Sequence, residues 1–241
     1  MTGPKKLGFP TSAVILSGGA GVRLRPLTND IPKGLVMVAG KPLLQWVIEW
    51  LGRGGVTDLV VGVAYMKEKI TRHFGDGTRF GVKIRYSEHS VEGGTGEGFR
   101  LAIKRYVDDE SFFAMNGDQV TDLNLESMFK THAKGKALAT VAVVHPRLPF
   151  GLVITDENGY CRAFQEKPVL RNVACSSGIY LFQREIIDYL PKTGDVEKTT
   201  FPRLTDGNRL KAYWHRGSFL TVNSIRELEE ADLELKGKEE K

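Results

Sequence analysis

The stretch Ala13-Val14-Ile15-Leu16, followed by Ser17-Gly18-Gly19-Ala20-Gly21-Val22-Arg23, decides the fold of this chain. Its first four residues are apolar and partly β-branched, which is typical of a buried strand. The glycines that follow let the backbone turn tightly and approach a ligand, with N–H groups free to point at phosphate oxygens. Arg23 adds a planar cationic fork, and Lys33 adds a point charge. A strand, a glycine turn and two cations together indicate polyphosphate binding.

Two common phosphate-binding loops do not fit these residues. A dinucleotide-binding loop requires glycine at its first, third and sixth positions, but counting from Gly18 the last two are Ala20 and Arg23. A Walker loop requires Gly-Lys followed by serine or threonine, whereas Gly40-Lys41-Pro42 has proline there. A dinucleotide-dependent oxidoreductase is therefore disfavoured. A glycine turn beside a surface arginine remains the simple alternative to phosphate binding.

The same residues carry a family resemblance. Leu16 to Thr28, Pro32-Lys33 and Gly40 to Leu43 resemble the signature of the sugar-1-phosphate nucleotidylyltransferases. The resemblance implies a reaction in which an NTP and a sugar 1-phosphate give an NDP-sugar and pyrophosphate. The family's usual alanine and threonine are Ser17 and Val22 here, which are mild departures because backbone and cations form the site. The resemblance assigns a catalytic role to Arg23 and Lys33, and triphosphate binding to Leu16, Gly18, Gly19 and Gly21.

Composition places the chain among ordinary globular proteins. It has 241 residues, 41% of them hydrophobic and 26% charged, which is ample to bury a core. The net charge of +5 suits anionic substrates, and no basic run outside the lysine-bearing tail indicates nucleic-acid binding. No apolar run reaches membrane-spanning length, and residues 1–10 lack a signal-peptide core. Cys161 and Cys175 have no metal-ligand spacing, and two such cysteines fit a reduced intracellular compartment. Together these observations lead us to expect a cytoplasmic protein without membrane or nucleic-acid partners.

Strands alternate with helices along the first half of the chain. Leu59–Val63 is predicted as a buried strand, Met66–Phe74 as a helix and Val82–Tyr86 as a strand. This order predicts an α/β fold with a mainly parallel sheet. The resemblance implies a Rossmann-like three-layer sandwich, with a mixed central sheet and a β-rich sugar-binding lobe.

One catalytic domain is predicted, with a short extension at each end. Residues 1–10 are expected to form an N-terminal arm, and residues 11–228 a single nucleotidyltransferase domain. Within it, the nucleotide half covers about 11–120 and the sugar-phosphate half about 121–228. Residues 229–241 are expected to form a charged C-terminal helix or tail in solvent.

A second glycine-rich stretch, Gly93 to Gly96, precedes a predicted helix. The resemblance places this loop near the nucleotide base, with Gly94 and Thr95 as contacts. Glycine freedom at a helix N-terminus is the equally simple alternative. Glu88, just upstream, offers a carboxylate that can accept both N–H donors of the Watson–Crick edge of guanine, or it is a solvated charge at a strand end.

A predicted strand, Phe112–Met115, ends in Asn116-Gly117-Asp118. Ligands of open α/β sheets bind beyond the carboxyl ends of strands, where a carboxylate can hold Mg²⁺ against phosphates. Asp118 is otherwise a turn residue. The family's metal-binding aspartate also follows glycine at a strand end, so the resemblance assigns Asp118 to catalysis and to the metal.

The expected second metal ligand departs from the common family pattern. Many relatives have an aspartate where this chain has Thr221. However, Thr221-Val222-Asn223 resembles the Gly-Val-Asn motif in which other members use asparagine, whose carbonyl oxygen is an acceptable Mg²⁺ ligand. Asn223 is therefore a metal candidate, and a turn residue before a helix from Ile225 is the alternative.

A β-hairpin is predicted around Asn158-Gly159, running into Glu166-Lys167. The resemblance gives Gly151, Glu166 and Lys167 the sugar-phosphate site. Ser176 joins them in place of an amide that often touches the sugar, and its shorter reach leaves the sugar open.

The predicted function is Mg²⁺-dependent nucleotidyl transfer from an NTP to a sugar 1-phosphate, with GTP and mannose 1-phosphate as the leading pair. UTP or dTTP with glucose 1-phosphate is the alternative, with an N-acetylhexosamine 1-phosphate as a further acceptor. A non-catalytic nucleotide-sensing subunit is the alternative of another class, motivated by the missing second aspartate. A homo-oligomer is left open.

Overall fold

The computed structural model describes residues 8–239 and the side chains of residues 8–237. Within this range the strands are β1 (Ser12–Leu16), β2 (Met37–Val38), β3 (Lys41–Pro42), β4 (Asp58–Val63), β5 (Lys83–Glu88), β6 (Ser111–Asn116), β7 (Gln119–Thr121), β8 (Ala139–Val144), β9 (Leu152–Thr155), β10 (Cys161–Gln165), β11 (Cys175–Gln183), β12 (Leu210–Trp214) and β13 (Phe219–Thr221). The helices are α1 (Leu43–Arg53), α2 (Lys67–Phe74), α3 (Gly94–Tyr106), α4 (Leu125–Ala133), α5 (Val196–Asp206) and α6 (Ile225–Glu239).

A seven-stranded central sheet has the order β12-β8-β11-β6-β1-β4-β5. β1 pairs in parallel with β4 and β6, β4 with β5, and β8 with β12, whereas β11 is antiparallel to both of its neighbours. The sheet is thus mixed and mainly parallel, which confirms the predicted α/β class. Because Leu16 pairs with Asn116, the carboxyl ends of β1 and β6 lie at one edge of the sheet.

The three layers follow from the alternation of side chains along β1. Ala13 and Ile15 pack into the core beneath α1, with Leu44 and Ile48. Val14 faces the opposite layer, where it joins the side chains of α3 and α5. All three β1 residues are fully buried, and burying one such aliphatic side chain is worth roughly 1.5–3 kcal/mol. The apolar run that predicts a strand is therefore also what holds a helical layer on each face.

The C-terminal helix packs against the domain, contrary to the expected tail in solvent. In α6, Ala231 and Leu235 are buried beside Leu24 and Val222. Asp232 Oδ1 accepts a hydrogen bond from the backbone N–H of Ala39 at 2.7 Å. A narrow apolar face is enough to dock the helix, although most of its side chains are charged. The expectation is wrong for this part of the helix, and residues 240–241 lie outside the described residues.

The expected N-terminal arm is also partly packed. The Phe9 ring lies 6.0 Å from that of Phe113 and 5.5 Å from that of Phe129, measured between centroids. Pro10 is buried. Phe9 and Pro10 therefore pack against the domain, and the rest of the predicted arm, residues 1–7, lies outside the described residues.

The predicted hairpin is present as β9 and β10, which form a separate two-stranded sheet. Gly159 has φ 83°, the left-handed conformation that the Asn-Gly turn requires. Val153, Ile154 and Phe164 are exposed, so the hairpin stands away from the main core. None of the helices within residues 8–239 is both long and apolar enough to cross a membrane.

Candidate active site

A cleft of about 390 Å³ opens at the carboxyl edge of the sheet, where the chain leaves β1 and β6 in different directions. The backbone N–H of Gly117 donates to Leu16 O at 2.8 Å, and that of Ser17 donates to Gly62 O at 2.7 Å. These bonds fix the start of both loops. Of the residues predicted from the sequence, the cleft brings together Leu16, Gly18, Gly19, Gly21, Arg23, Lys33, Gly94, Thr95, Asp118 and Asn223.

Two glycines of the first loop have physical reasons to be glycine. A Cβ at Gly18 would lie 2.6 Å from the His89 ring, so only glycine lets the backbone rest on that ring. Gly21 has φ 61°, a left-handed conformation that disfavours other residues. Its carbonyl accepts a hydrogen bond from Thr28 Oγ1 at 2.8 Å, which closes the loop. The buried side chain of Leu24 then anchors the loop to the core.

A cation, a carboxylate and an amide meet at the floor of the cleft. Lys33 Nζ lies 2.6 Å from Asp118 Oδ2 and 2.8 Å from Asn223 Oδ1. Arg23 donates to the same Asn223 oxygen at 3.2 Å. The side chains of Lys33 and Asp118 are 17% and 25% exposed, so the pair is partly shielded yet reachable from the cleft. Arg23 and Lys33 follow β1, Asp118 follows β6, and Asn223 precedes α6. Residues that are distant in sequence thus form one polar cluster.

The donor set at this point fits Mg²⁺. Asp118 and Asn223 direct one oxygen each toward the same ammonium nitrogen, so both oxygens face a common point. Mg²⁺ in nucleotide sites typically takes one or two protein oxygens, with phosphates and water completing the shell. Among the described residues no three His, Cys, Asp or Glu side chains gather as a metal cluster. An ion here would therefore depend on the substrate's phosphate oxygens.

Asn223 is held in place by the start of α6. Its backbone N–H donates to Glu227 Oε2 at 2.9 Å, and Thr221 Oγ1 donates to the same oxygen at 2.9 Å. The Glu227 N–H donates to Ser224 Oγ at 3.2 Å, which resembles a capping box. Thr221, which stands where many relatives have aspartate, is thus a partner of Glu227.

The second glycine stretch begins α3 itself, since Gly94 is already the first residue of the helix. Thr95 Oγ1 donates to Glu197 Oε2 at 2.9 Å and accepts from the Val196 N–H at 2.9 Å. The buried Tyr180 hydroxyl donates to Glu197 Oε1 at 2.8 Å. Burial raises the pKa of Tyr180, and the Glu197 carboxylate raises it further, so the hydroxyl stays a donor. Glu197 therefore ties the start of α3 to strand β11.

Glu88 does not lie among the residues of the cleft, contrary to its proposed contact with guanine. Its side chain is 66% exposed and pairs with Lys67 Nζ at 2.7 Å. The next residue, His89, lines the cleft instead. His89 Nδ1 lies 2.9 Å from Ser90 O, and Nε2 is buried without a partner among the described residues. Alternation at the end of β5 explains the difference, because adjacent side chains point in opposite directions.

The predicted sugar-phosphate residues lie outside the cleft, in and beside the hairpin. A Cβ at Gly151 would lie 2.6 Å from the Phe164 ring, so this glycine lets the hairpin ends meet. Lys167 has φ 46°, and its Nζ is 3.7 Å from Glu166 Oε1. Ser176 is exposed and its Oγ accepts from the Gly178 N–H at 3.2 Å. The role of these four residues stays a prediction.

Nine cleft residues were not predicted from the sequence as site residues: Ser17, Val22, Leu24, Gly34, His89, Val91, Asn116, Gly117 and Asp195. Six of them flank predicted residues in the chain, whereas His89, Val91 and Asp195 come from other segments. The segment Gly194-Asp195 contacts the start of α3, because Gly96 N–H donates to Gly194 O at 2.9 Å. An aspartate before a helix is a signal for a cap, but nothing local in the sequence shows that this helix start faces the cleft.

Known proteins resemble this chain over most of its length. The family model described as "Nucleotidyl transferase" matches residues 12–222. The chain is 34% identical over 215 residues to the UTP–glucose-1-phosphate uridylyltransferase of Synechocystis sp. (strain ATCC 27184 / PCC 6803 / Kazusa), covering 80% of this chain and 55% of the relative. It is 30% identical over 233 residues to the mannose-1-phosphate guanylyltransferase catalytic subunit beta of Drosophila melanogaster, covering 94% of this chain and 63% of the relative.

A solved structure shows the same fold. The crystal structure of HddC from Yersinia pseudotuberculosis aligns with a TM-score of 0.74 at 24% identity, over 93% of this chain and 99% of that one. The chain spans between about half and two thirds of the length of the two curated relatives.

Proposed function

The chain belongs to the nucleotidyl transferase family, and from that premise we propose that it joins an NTP to a sugar 1-phosphate, giving an NDP-sugar and pyrophosphate. The observation that carries this proposal is the meeting of Arg23, Lys33, Asp118 and Asn223 in one cleft beside the glycine loop. These are the groups that bind a triphosphate and neutralise its charge.

In the proposed reaction an oxygen of the sugar 1-phosphate attacks the α-phosphorus of the NTP. A new phosphorus–oxygen bond forms, the bond from the α-phosphorus to the bridging oxygen breaks, and pyrophosphate leaves with that electron pair. The nucleophile is already an anion, so no side chain needs to remove a proton. The main obstacle is electrostatic, since two unit charges 4 Å apart repel by about 4 kcal/mol at an effective dielectric of 20.

Arg23 and Lys33 reduce that electrostatic repulsion. The guanidinium can bind two phosphate oxygens at once, and the ammonium supplies a compact charge. Lys33 already lies between two oxygen acceptors, so exchanging Asp118 for a phosphate oxygen requires only a change of partner. Preorganised cations of this kind stabilise the charge that develops in the transition state.

Asp118 and Asn223 are the proposed Mg²⁺ ligands. When bound, the ion supplies charge neutralisation at the phosphate oxygens and holds them for in-line attack. The residues that hold Asn223 in position, Glu227 and Ser224, support this assignment because they fix the amide beside the carboxylate.

On the acceptor side we assign Gly151, Glu166, Lys167 and Ser176 to the sugar phosphate. Support comes from the position of Glu166-Lys167 at the end of the exposed hairpin, which precedes in the chain the strand that carries Ser176. Lys167 would cancel charge on the attacking phosphate, and Glu166 would accept hydrogen bonds from sugar hydroxyls.

GTP with mannose 1-phosphate is the leading substrate pair, supported by the hairpin resemblance and by the guanylyltransferase relative. The exposed Glu88 no longer supplies a reason for guanine, so the base contact is reassigned to His89. UTP or dTTP with glucose 1-phosphate is the second candidate, and the uridylyltransferase relative favours it. Cytoplasmic location and oligomeric state stay predictions.

Pyrophosphate release, measured across a grid of NTPs and sugar 1-phosphates, tests the proposal. Turnover that needs Mg²⁺ and falls at least about a hundredfold in Lys33→Met supports transfer. The matched control is Lys104→Met on the exposed face of α3, which makes the same substitution away from the cleft. If nucleotides bind but none of the substrate pairs releases pyrophosphate, the result would instead favour the non-catalytic sensing subunit.

A further inference from the structure

A second cavity, of about 530 Å³, lies in the predicted sugar-phosphate half and shares no lining residue with the cleft. Three parts of the chain enclose it: the end of β8, the segment after the hairpin, and the connection from β12 to β13. Its polar walls are His145, Arg171, His215 and Arg216. No carboxylate lines it.

The two arginines give this cavity a positive charge that the protein leaves uncompensated. Within residues 8–237 neither Arg171 nor Arg216 has an ion pair or a hydrogen bond. The nearest acidic group in contact with a lining residue is Asp122, whose Oδ1 lies 3.2 Å from His215 Nε2. Two unpaired guanidinium groups around one cavity favour an oxyanion, which arginine binds through paired N–H donors.

The two histidines are fixed by the surrounding structure. His215 is buried, and its Nε2 is also 3.0 Å from Ser218 O and 3.2 Å from Thr121 Oγ1. His145 Nδ1 lies 3.2 Å from Val173 O, and its ring lies 4.6 Å from that of Trp214. In each ring the opposite nitrogen has no partner within the described residues. The cavity is therefore walled by two held rings, and the guanidinium groups of Arg171 and Arg216 are its N–H donors for an anion.

The cavity adjoins the segments predicted to hold the acceptor. Arg171 follows Glu166-Lys167, and two backbone bonds, Leu148 N–H to Pro168 O at 3.0 Å and Leu170 N–H to Pro146 O at 2.9 Å, join that segment to the end of β8. At the end of β8, Val144 pairs with Cys175 of the neighbouring strand β11, and Ser176 is the next residue of β11.

We propose that this cavity is a subsite for a second anionic group, phosphate or carboxylate, carried by the acceptor sugar in addition to its 1-phosphate. The assignment to the acceptor rests on the proposed function, whereas anion binding by the cavity does not.

Binding is tested with inorganic phosphate at constant ionic strength, followed by the NMR signals of the histidine rings. The chain has five histidines, and His145→Gln and His215→Gln assign the two in the cavity. Phosphate should shift the signals of His145 and His215, while His89 reports binding in the cleft and the buried His132 serves as a reference.

The double variant Arg171→Gln/Arg216→Gln should lose the shifts at His145 and His215 and keep the His89 response. The control variant Arg72→Gln should keep the cavity shifts and the His89 response. Absence of shifts at His145 and His215, or equal shifts in the double variant, would overturn the subsite.

The acceptor assignment is tested by the ratio of kcat/KM for glucose 1,6-bisphosphate, or for glucuronic acid 1-phosphate, to that for glucose 1-phosphate. The wild type should favour at least one of the two acceptors that carry a second anionic group by about tenfold or more. The double variant should lose that preference, whereas Arg72→Gln should retain it. A ratio that is equal in the wild type and the double variant overturns this assignment. Free phosphate that changes turnover of glucose 1-phosphate only in the wild type would identify a free anion as the ligand instead. If no acceptor releases pyrophosphate, the proposed function fails while the NMR result still decides the cavity.

Discussion

The ammonium of Lys33, which follows the glycine loop in the chain, lies 2.6 Å from the carboxylate of Asp118, which follows β6. An ion pair in this position keeps the cleft close to neutral before substrate arrives. The same two groups then serve different partners in the proposed reaction, the lysine a phosphate and the aspartate a metal ion.

Replacing Asp118 with asparagine should abolish turnover while leaving the fold intact. The amide keeps the volume of the side chain but loses the negative charge that holds Mg²⁺ and pairs with the Lys33 ammonium. The measurement is pyrophosphate release at saturating Mg²⁺, with Asp206→Asn on the exposed end of α5 as a control of equal charge change. A variant retaining more than about a tenth of the wild-type rate would limit the effect to roughly 1.4 kcal/mol and remove Asp118 from the metal site.

Asn223→Ala should raise the Mg²⁺ concentration needed for half-maximal turnover by about tenfold or more, because an oxygen ligand is lost. Asn223→Asp keeps an oxygen at the same place and should need less Mg²⁺ than the alanine variant. Both are compared in Mg²⁺ titrations at fixed substrate. If the alanine variant titrates like the wild type, Asn223 returns to being a turn residue before α6.

Acid should destabilise the protein through His132, which is buried and lies 2.7 Å from Thr140 Oγ1. Burial lowers the pKa of His132 to about 4. The unfolded chain, with an ordinary histidine pKa near 6.5, therefore binds more protons between about pH 4 and 6.5, and stability falls as the pH falls through that window. The loss attributable to this residue is roughly 3 kcal/mol. Urea unfolding at several pH values should show a smaller acid loss in His132→Gln than in the wild type, and equal losses would contradict the assignment.

The fold was predictable where local pattern and topology agree. The apolar run in β1 and the alternation of strands and helices predict the parallel part of the sheet. The rule that ligands bind at carboxyl ends then places Asp118 beside the glycine loop without any knowledge of contacts. The Asn158-Gly159 turn predicts the hairpin for a similarly local reason, because few sequences adopt its left-handed geometry.

Other features depend on information that the local sequence lacks. In α6 the apolar residues Leu228, Ala231 and Leu235 are few and lie among charges, so the pattern alone reads as a solvated helix. At the end of β5 a shift of one residue reverses which side chain faces the cleft. For this reason Glu88 was predicted at the cleft, whereas the structure has His89 there.

Lys167→Met should raise the KM for the sugar 1-phosphate while leaving NTP binding near its wild-type value. Methionine keeps much of the apolar stem and removes the charge that the proposal places at the attacking phosphate. Calorimetry with the NTP and steady-state kinetics with the acceptor separate the two effects, and Lys134→Met provides an exposed control. Equal weakening for both substrates would contradict the division between the glycine loop and the hairpin.

Base selection should depend on His89 and not on Glu88. His89 lines the cleft, and its ring packs against the backbone of Gly18, where Nε2 is buried. A base that lies against this ring gains van der Waals contacts that depend on its size and shape, so the ring can influence which base binds. We therefore expect His89→Ala to change the ratios of kcat/KM among GTP, UTP, dTTP, CTP and ATP severalfold. Glu88→Gln should leave these ratios within about twofold, because the carboxylate of Glu88 faces Lys67.

The same NTP series identifies the base, and a pyrimidine triphosphate that exceeds GTP by about tenfold would replace the guanine assignment. Altered preference in Glu88→Gln with unchanged preference in His89→Ala would reverse the roles of the two residues.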